Sequence, residues 1–393
     1  MSIVDRYLYD HHTRSERDLC VRCLDDDDLK DFIRGFDIKG RCSFCSARHV
    51  AIAPLSDMAD HLRGFMEENY SKAADELPYE SREGGYQGGS TYSTWEVLIE
   101  QIGLPLTGTG EVELGHALAD AIGEDIWCDF DWTSLDLDDS LKYSWDRFCE
   151  TVKHHRRFFF HGLGRSRYSG RDDRSSIEIL REIKRLIEGS GLIRKIPKDY
   201  VLYRARPREG RKRYTLAVDL ASPPVEFALQ SNRMNPPGIP MFYGAESRKL
   251  AVAEVRDSKA SIGRFATTRK IRILDLVNLP PMPGFFSGAH RNHRLSLSFL
   301  HQFTRKIVLP VPRDESTHIN YLPTQVFTEY LRDARFGGKR IDGIRYPSAT
   351  GEAGSNVVLF ATQEDFKGVV EDDPNFPFLR AKPWLRLISV SHV

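Results

Sequence analysis

No run in the 393 residues approaches the roughly 18 to 20 consecutive apolar residues that a bilayer-crossing helix needs, and Met1–Arg14 is polar where a secretory signal would be apolar. A membrane partner is therefore not expected, and the cytoplasm is the expected location. Net charge is also missing, since 56 Lys and Arg offset 56 Asp and Glu. The chain has no internal repeat, P-loop, nucleophile elbow or H-E-x-x-H, and Gly108-Thr109-Gly110 is too incomplete to be a dinucleotide fingerprint. None of the commonest catalytic signatures places the chemistry, which must be sought in scattered residues.

What is present is uneven. Residues 1–153 carry 15 Lys and Arg against 32 Asp and Glu, and residues 154–393 carry 41 against 24. An acidic half is joined to a basic half. Either the two dock through complementary fields, or the basic half meets a polyanion or phosphate-rich ligand. The length predicts two or three domains, and 40% hydrophobic content is enough for sizeable cores.

Six cysteines are present, and four fall as Cys20-Val21-Arg22-Cys23 and Cys42-Ser43-Phe44-Cys45. Two C-x-x-C turns can close a tetrahedral thiolate site, so this spacing predicts a structural zinc at Cys20, Cys23, Cys42 and Cys45. A four-thiolate site leaves no open position for catalysis. Cys128 and Cys149 read as core cysteines. The run Asp25 to Asp28 reads as a solvated acidic loop, which argues against this ribbon gripping nucleic acid.

Ala59, Leu62, Phe65 and Met66 recur at helical spacing after Ser56, a candidate cap, and helical patterning resumes at Trp95–Ile99 and Ala117–Ile122. Ser81 to Ser93 reads as a loop, and residues 51–165 as a small helical domain. Gly162–Asp173 is a Gly, Ser and Arg rich linker. After it, Ser175 with Glu178 predicts a capping box, and Ile177, Leu180, Ile183 and Ile187 an apolar helix face. From Tyr200 short β-rich runs (Val201–Tyr203, Met241–Tyr243, Ile271–Leu276, Val357–Phe360) alternate with helical ones (Leu250–Val255, Thr324–Leu331), so the fold class is α+β.

Polar residues stand inside or beside apolar runs at Arg204 and Arg206, at Arg233 and Tyr243, at Glu254, and at Ser348 and Asn356. Burying them singly costs roughly 1 to 3 kcal/mol each unless they find partners, so a shared cleft is the economical reading. Arg204 and Arg206 alternate on one strand and share a face, where guanidinium suits phosphate. Glu254 is the only acid in its apolar helical segment and suits a carboxylate beside a sugar cation. Tyr243 suits ring stacking, and Ser348 or its rival Ser355 suits a hydrogen bond to the same ligand.

These residues, in this order, resemble the RES domain family over about residues 175–365: Arg204 after Leu-Tyr, Tyr243 before the helix, Glu254 within it and Ser348 before Asn356. The first part of the chain, with its C-x-x-C pairs and its Trp95 and Arg147 regions, resembles the N-terminal domain that accompanies some RES proteins and is classed with HEPN folds. The resemblance implies a zinc ribbon (1–50), a HEPN/RES N-terminal-like helical domain (51–165), an ADP-ribosyltransferase-like RES catalytic domain (175–370) and a C-terminal tail (371–393). It implies cleavage of the nicotinamide–ribose bond of NAD, by phosphorolysis with phosphate as co-substrate or by hydrolysis. Arg204, Tyr243, Glu254 and Ser348 would then be catalytic, with Arg206, Arg233 and Asn356 binding substrate. Toxins of this family are often paired with an antitoxin, so an antitoxin or regulatory protein is an expected partner and self-association a further one. Two rivals stay open: ADP-ribosyl transfer to a macromolecule, and RNA binding or HEPN-type RNA cleavage by Arg147 and His154, which stand with six residues between them.

Overall fold

The sequence signals become elements of a computed structural model, which describes residues 17–159, 172–255, 257, 259–309, 316–350, 352–368 and 383–393. By internal contacts the chain forms two compact units, the first Met1–Leu137 with Met282–Leu295 and the second Asp138–Pro281 with Ser296–Val393. Most of the expected linker Gly162–Asp173 lies outside the described residues.

In the first unit, β1 (Asp18–Cys20) carries the first cysteine pair into a single 3-10 turn, Val21–Cys23. The acidic run does not form a loop. Asp26 caps α1 (Asp27–Arg34) by accepting from the Leu29 N–H at 3.0 Å, and Asp27 and Asp28 lie in its first turn, where carboxylates oppose the positive end of the helix dipole. Strands β2 (Lys39–Gly40) and β3 (Val50–Pro54) complete a three-stranded sheet in the order β1-β3-β2. Helix α2 (Leu55–Asn69) starts directly behind Pro54, so Ser56 lies inside it rather than at its cap, and it buries Met58, Ala59, Leu62, Phe65 and Met66. Strands β4 (Tyr70–Lys72), β5 (Thr91–Ser93) and β6 (Ile126–Asp129) pair in the order β4-β6-β5, and α3 (Glu111–Ile122) precedes β6. The stretch expected as a loop contains a two-residue hairpin, Tyr79–Glu80 with Gly85–Tyr86. One core runs from Leu19 and the cysteines through Leu29, Met58 and Leu62 to Leu118 and Phe286, so the cysteine-bearing sheet and the helices share their interior.

The second unit takes in most of α4 (Leu137–Glu150), then α5 (Ser176–Gly189). Both bonds of the expected capping box are made, Glu178 N–H to Ser175 Oγ at 3.4 Å and Ser175 N–H to Glu178 Oε2 at 2.8 Å. Its buried face is Ile179, Leu180, Ile183 and Ile187, with Ile177 only half-buried. The strands are β7 (Ile193–Ile196), β8 (Val201–Pro207), β9 (Phe242–Ala245), β10 (Ala260–Thr267), β11 (Ile271–Asp275), β12 (Gly343–Pro347), β13 (Ser355–Leu359) and β14 (Leu385–His392). They form one eight-stranded sheet, β14-β10-β8-β9-β13-β12-β11-β7, parallel only at β11–β12. Leu385–His392, expected as tail, is thus an edge strand held to β10 along its length. The longer helices that follow among the described residues are α6 (Arg248–Val255), α7 (Arg291–Val308), whose first residues count with the other unit, and α8 (Leu322–Asp333).

The register decides which side chains can meet. Tyr203, Ala245, Asn356 and Tyr346 are paired in succession across β8, β9, β13 and β12 and therefore share a face. Helix α6 covers that face, Leu250 and Ala251 packing on Tyr203, Ala205 and Ala245. The opposite face holds the apolar core of Leu202, Phe242, Phe265, Val357, Leu359 and Phe366. Strands β8 and β9 are joined at a single position, Tyr203 with Ala245, whereas β8 pairs with β10 from Val201 to Pro207. Beyond Tyr203 the two strands part, and Arg204 is the first residue past the junction.

Candidate functional site

Because α6 begins just after β9, its last turn brings Glu254 over the ends of β12 and β13. Glu254 Oε1 accepts from Ser348 Oγ at 2.9 Å and from Asn356 Nδ2 at 2.5 Å. Both donors are neutral, and no cation pairs with Glu254 among the described residues, so its charge is fixed in place without being cancelled. Ser348 is itself positioned by Thr350, whose Oγ1 lies 2.9 Å away and whose N–H donates to Ser348 Oγ at 3.2 Å.

Tyrosines form one wall. Tyr243 donates to Asn235 Oδ1 at 2.6 Å and accepts from the Met234 N–H at 3.3 Å. Burial, then the neighbouring Tyr346, raise the Tyr243 phenol well above its ordinary pKa. Tyr346 is likewise raised by burial, against the field of Arg233 and with that of Glu254. Both hydroxyls keep their protons at neutral pH and can donate but not act as bases.

The arginines are placed unequally. Arg204 sits in the strand split with its guanidinium 5.4 Å from the Phe242 ring, and its Nη1 is closed off from solvent with no hydrogen-bond partner among the described residues. Burial, then Arg206, lower its pKa to about 10, so it remains a cation. Arg206 is exposed, donates to the Asp219 carbonyl at 2.7 Å and lies 4.2 Å from the centre of the Tyr214 ring. Arg233 donates to the Val308 carbonyl at 2.6 Å. A cavity of about 250 Å³ is lined among others by Val308, whose carbonyl accepts from Arg233, by Thr304, and by Pro347 next to Ser348; Glu254 and these three arginines do not line it. Thr304 Oγ1 has no partner there.

Of the residues singled out by sequence, Glu254, Ser348 and Asn356 are brought into one hydrogen-bonded group. Tyr243 and Arg233 are within electrostatic reach of it through Tyr346, whereas Arg204 couples to Tyr243 and Arg206 and lies against Phe242, and Arg206 stands further along its strand. Ser348 and Ser355 separate by face: Ser355 is buried beside Glu246, to which it donates, and Ser348 donates to Glu254. Sequence reading missed a charge network on that other face. Arg345 donates Nε and Nη2 to Glu246 at 3.0 and 2.9 Å and Nη1 to Asp275 at 3.2 Å, and the Tyr200 hydroxyl donates to Glu246 at 2.5 Å. Glu246, Arg345 and Ser355 each directly adjoin, in sequence, a residue of the face beneath α6: Ala245, Tyr346 and Asn356. The signal was available, because Arg345 and Asp275 are charges inside apolar runs, as Arg204 is.

The four cysteines of the first unit converge. Sγ separations are 3.8 Å for Cys20–Cys23, 3.5 Å for Cys20–Cys45 and 3.6 Å for Cys23–Cys42, and all four sulfurs lie within 4.8 Å of one another. Four ligands about 2.3 Å from a central ion stand about 3.8 Å apart in a tetrahedron, so the set fits a metal. Backbone N–H groups of Phe44 and Cys45 point at Cys42 Sγ, at 3.4 and 3.5 Å, as suits a thiolate. Arg147 is ion-paired to Asp173, and His154 lies 4.0 Å from Glu150, both on the exposed side of their helix.

Fold and sites together define an α+β chain with a four-cysteine cluster in its first unit and a carboxylate-centred hydrogen-bonded group in its second. Residues 201–381 match the family model of the RES domain, and residues 37–166 match that of HEPN/RES N-terminal domain 1, so the chain carries a RES domain behind a HEPN/RES N-terminal domain. No curated protein and no solved structure matched the chain. No helix among the described residues is long and apolar enough to cross a membrane.

Proposed function

We propose that the chain cleaves the nicotinamide–ribose bond of NAD. The observation that carries this reading is the Glu254 carboxylate, held by Ser348 and Asn356 and not ion-paired among the described residues. Departure of nicotinamide builds positive charge on the ribose, and a fixed carboxylate beside the sugar lowers that barrier. Ser348 and Asn356 hold Glu254 in place so that no reorganisation is needed as the charge develops. Tyr346, kept protonated, can donate to substrate, while Tyr243, its hydroxyl committed to Asn235, contributes its ring to the site. The unpartnered Nη1 of Arg204 fits a phosphate oxygen of the dinucleotide, with Arg206 and Arg233 as the further cations.

The attacking group is phosphate or water, and ADP-ribosyl transfer to a macromolecule would use the same carboxylate. Incubating the purified chain with NAD, with and without phosphate, separates them. ADP-ribose-1''-phosphate, ADP-ribose or a labelled macromolecule each names one reaction, and intact NAD under all conditions refutes the reading. The cysteine cluster holds zinc in a structural role in this proposal. A toxin or defence role rests on the RES match, and growth arrest on expression that Glu254→Gln abolishes would support it.

A further inference from the structure

The charge asymmetry of the sequence has a local counterpart that the NAD reading does not use. At the Pro207 end of β8 lies a hollow of about 720 Å³, lined by Arg208, Arg211, Arg213 and Lys259 with Gly210 and Val393. The turn that makes it is pinned at both ends. The Arg208 N–H donates to the Lys259 carbonyl at 3.0 Å, and the N–H of the buried Tyr214 donates to Ser261 Oγ at 3.1 Å. Between these anchors Arg211, Lys212 and Arg213 are pushed into solvent.

No acidic side chain lines the hollow, and none of Arg208, Arg211, Lys212, Arg213 or Lys259 forms an ion pair among the described residues. Arg208 Nη2 donates to the main-chain oxygen of Val393, but Arg208 Nε is enclosed with no acceptor among the described residues. Clustered cations repel one another, and an enclosed guanidinium N–H lacks the water it would otherwise bind, so both features are relieved by one multivalent anion. The field reaches the neighbouring His392, whose pKa is held low by burial and then by Arg213 and Arg208. The cations converge on one concavity rather than lining a strip, which suits a compact anion better than an extended nucleic acid.

We propose that this hollow binds a compact oligophosphate, either free polyphosphate or the phosphate chain of a nucleoside triphosphate, at residues distinct from those proposed for NAD. Calorimetry of the full chain with sodium tripolyphosphate, ATP and a single-stranded RNA tests it without reference to turnover. The expected result is one saturable tripolyphosphate or ATP site per chain, weakened about tenfold or more between about 50 and 200 mM salt. Replacing the exposed pair, Arg211→Ala with Arg213→Ala, should weaken it by about tenfold or more, while Lys195→Ala on a distant strand leaves it unchanged. Equal affinity for tripolyphosphate and ATP assigns free phosphate chains as the source, and preference for ATP assigns a nucleotide; either supports the site. No saturable binding of either anion, binding indifferent to the double substitution, or binding of RNA alone would overturn it.

Discussion

Replacing Glu254 by Gln tests the proposed chemistry with little disturbance of the fold. The amide oxygen of the substituted side chain can still accept from Ser348 and Asn356, so the two neighbours stay satisfied and only the charge is lost. A unit charge about 4 Å from a developing ribose cation contributes about 4 kcal/mol at an effective dielectric of about 20. Some of this is present in the ground state, because nicotinamide is already cationic in NAD, so the expected loss in kcat is about 10² to 10³ with little change in KM. Nicotinamide release measured by chromatography over a range of NAD concentrations reads both parameters. A paired substitution, Arg147→Ala with His154→Ala, serves as control and should leave turnover unchanged. Near-normal turnover in Glu254→Gln, or loss only in the control, refutes the reasoning and moves the chemistry away from the RES domain.

Arg204→Ala should raise the KM for NAD, since a phosphate contact is felt in ground and transition states alike; an unchanged KM with unchanged kcat would remove Arg204 from the site. Cys20→Ser should abolish stoichiometric zinc, read by atomic absorption, and lower the melting temperature of the first unit without abolishing NAD turnover. Arg345→Met should cost roughly 2 to 4 kcal/mol of stability at neutral pH, because it strands two partly buried carboxylates. The pH dependence has a definite sign. Burial works to raise Glu246 and Asp275, but Arg345 and Tyr200 on the one, and Asn278 with the Val277 and Asn278 N–H groups on the other, outweigh it and hold both low. Their stabilisation is therefore present above the ordinary carboxylate pKa of about 4 and lost as pH falls below it. Denaturant midpoints should drop more steeply below pH about 4 in the native chain than in Arg345→Met, and parallel curves would contradict the network.

The linear sequence determined those features whose physics is local. Two C-x-x-C turns are enough to declare a metal set, because each turn fixes two thiolates by itself. Ser175 and Glu178 announced a helix start because both bonds of a capping box lie within four residues. The order Arg204, Tyr243, Glu254, Ser348, Asn356 declared the family. What the sequence could not supply was pairing between distant strands. Only the register of β8, β9, β13 and β12 puts Asn356 on the face of Tyr346 beneath α6, turns Ser355 away to Glu246, and so decides which serine meets Glu254. A one-residue slip in β13 would exchange the faces of Ser355 and Asn356, since alternate side chains point to opposite faces. Beside the parting of β8 from β9 after one shared position, Arg204 Nη1 is enclosed and unpartnered among the described residues, and no composition or spacing encodes that. The same holds for Met282–Leu295, which leaves the second unit to pack Phe286 into the core of the first, because burial is settled by contacts and not by order along the chain.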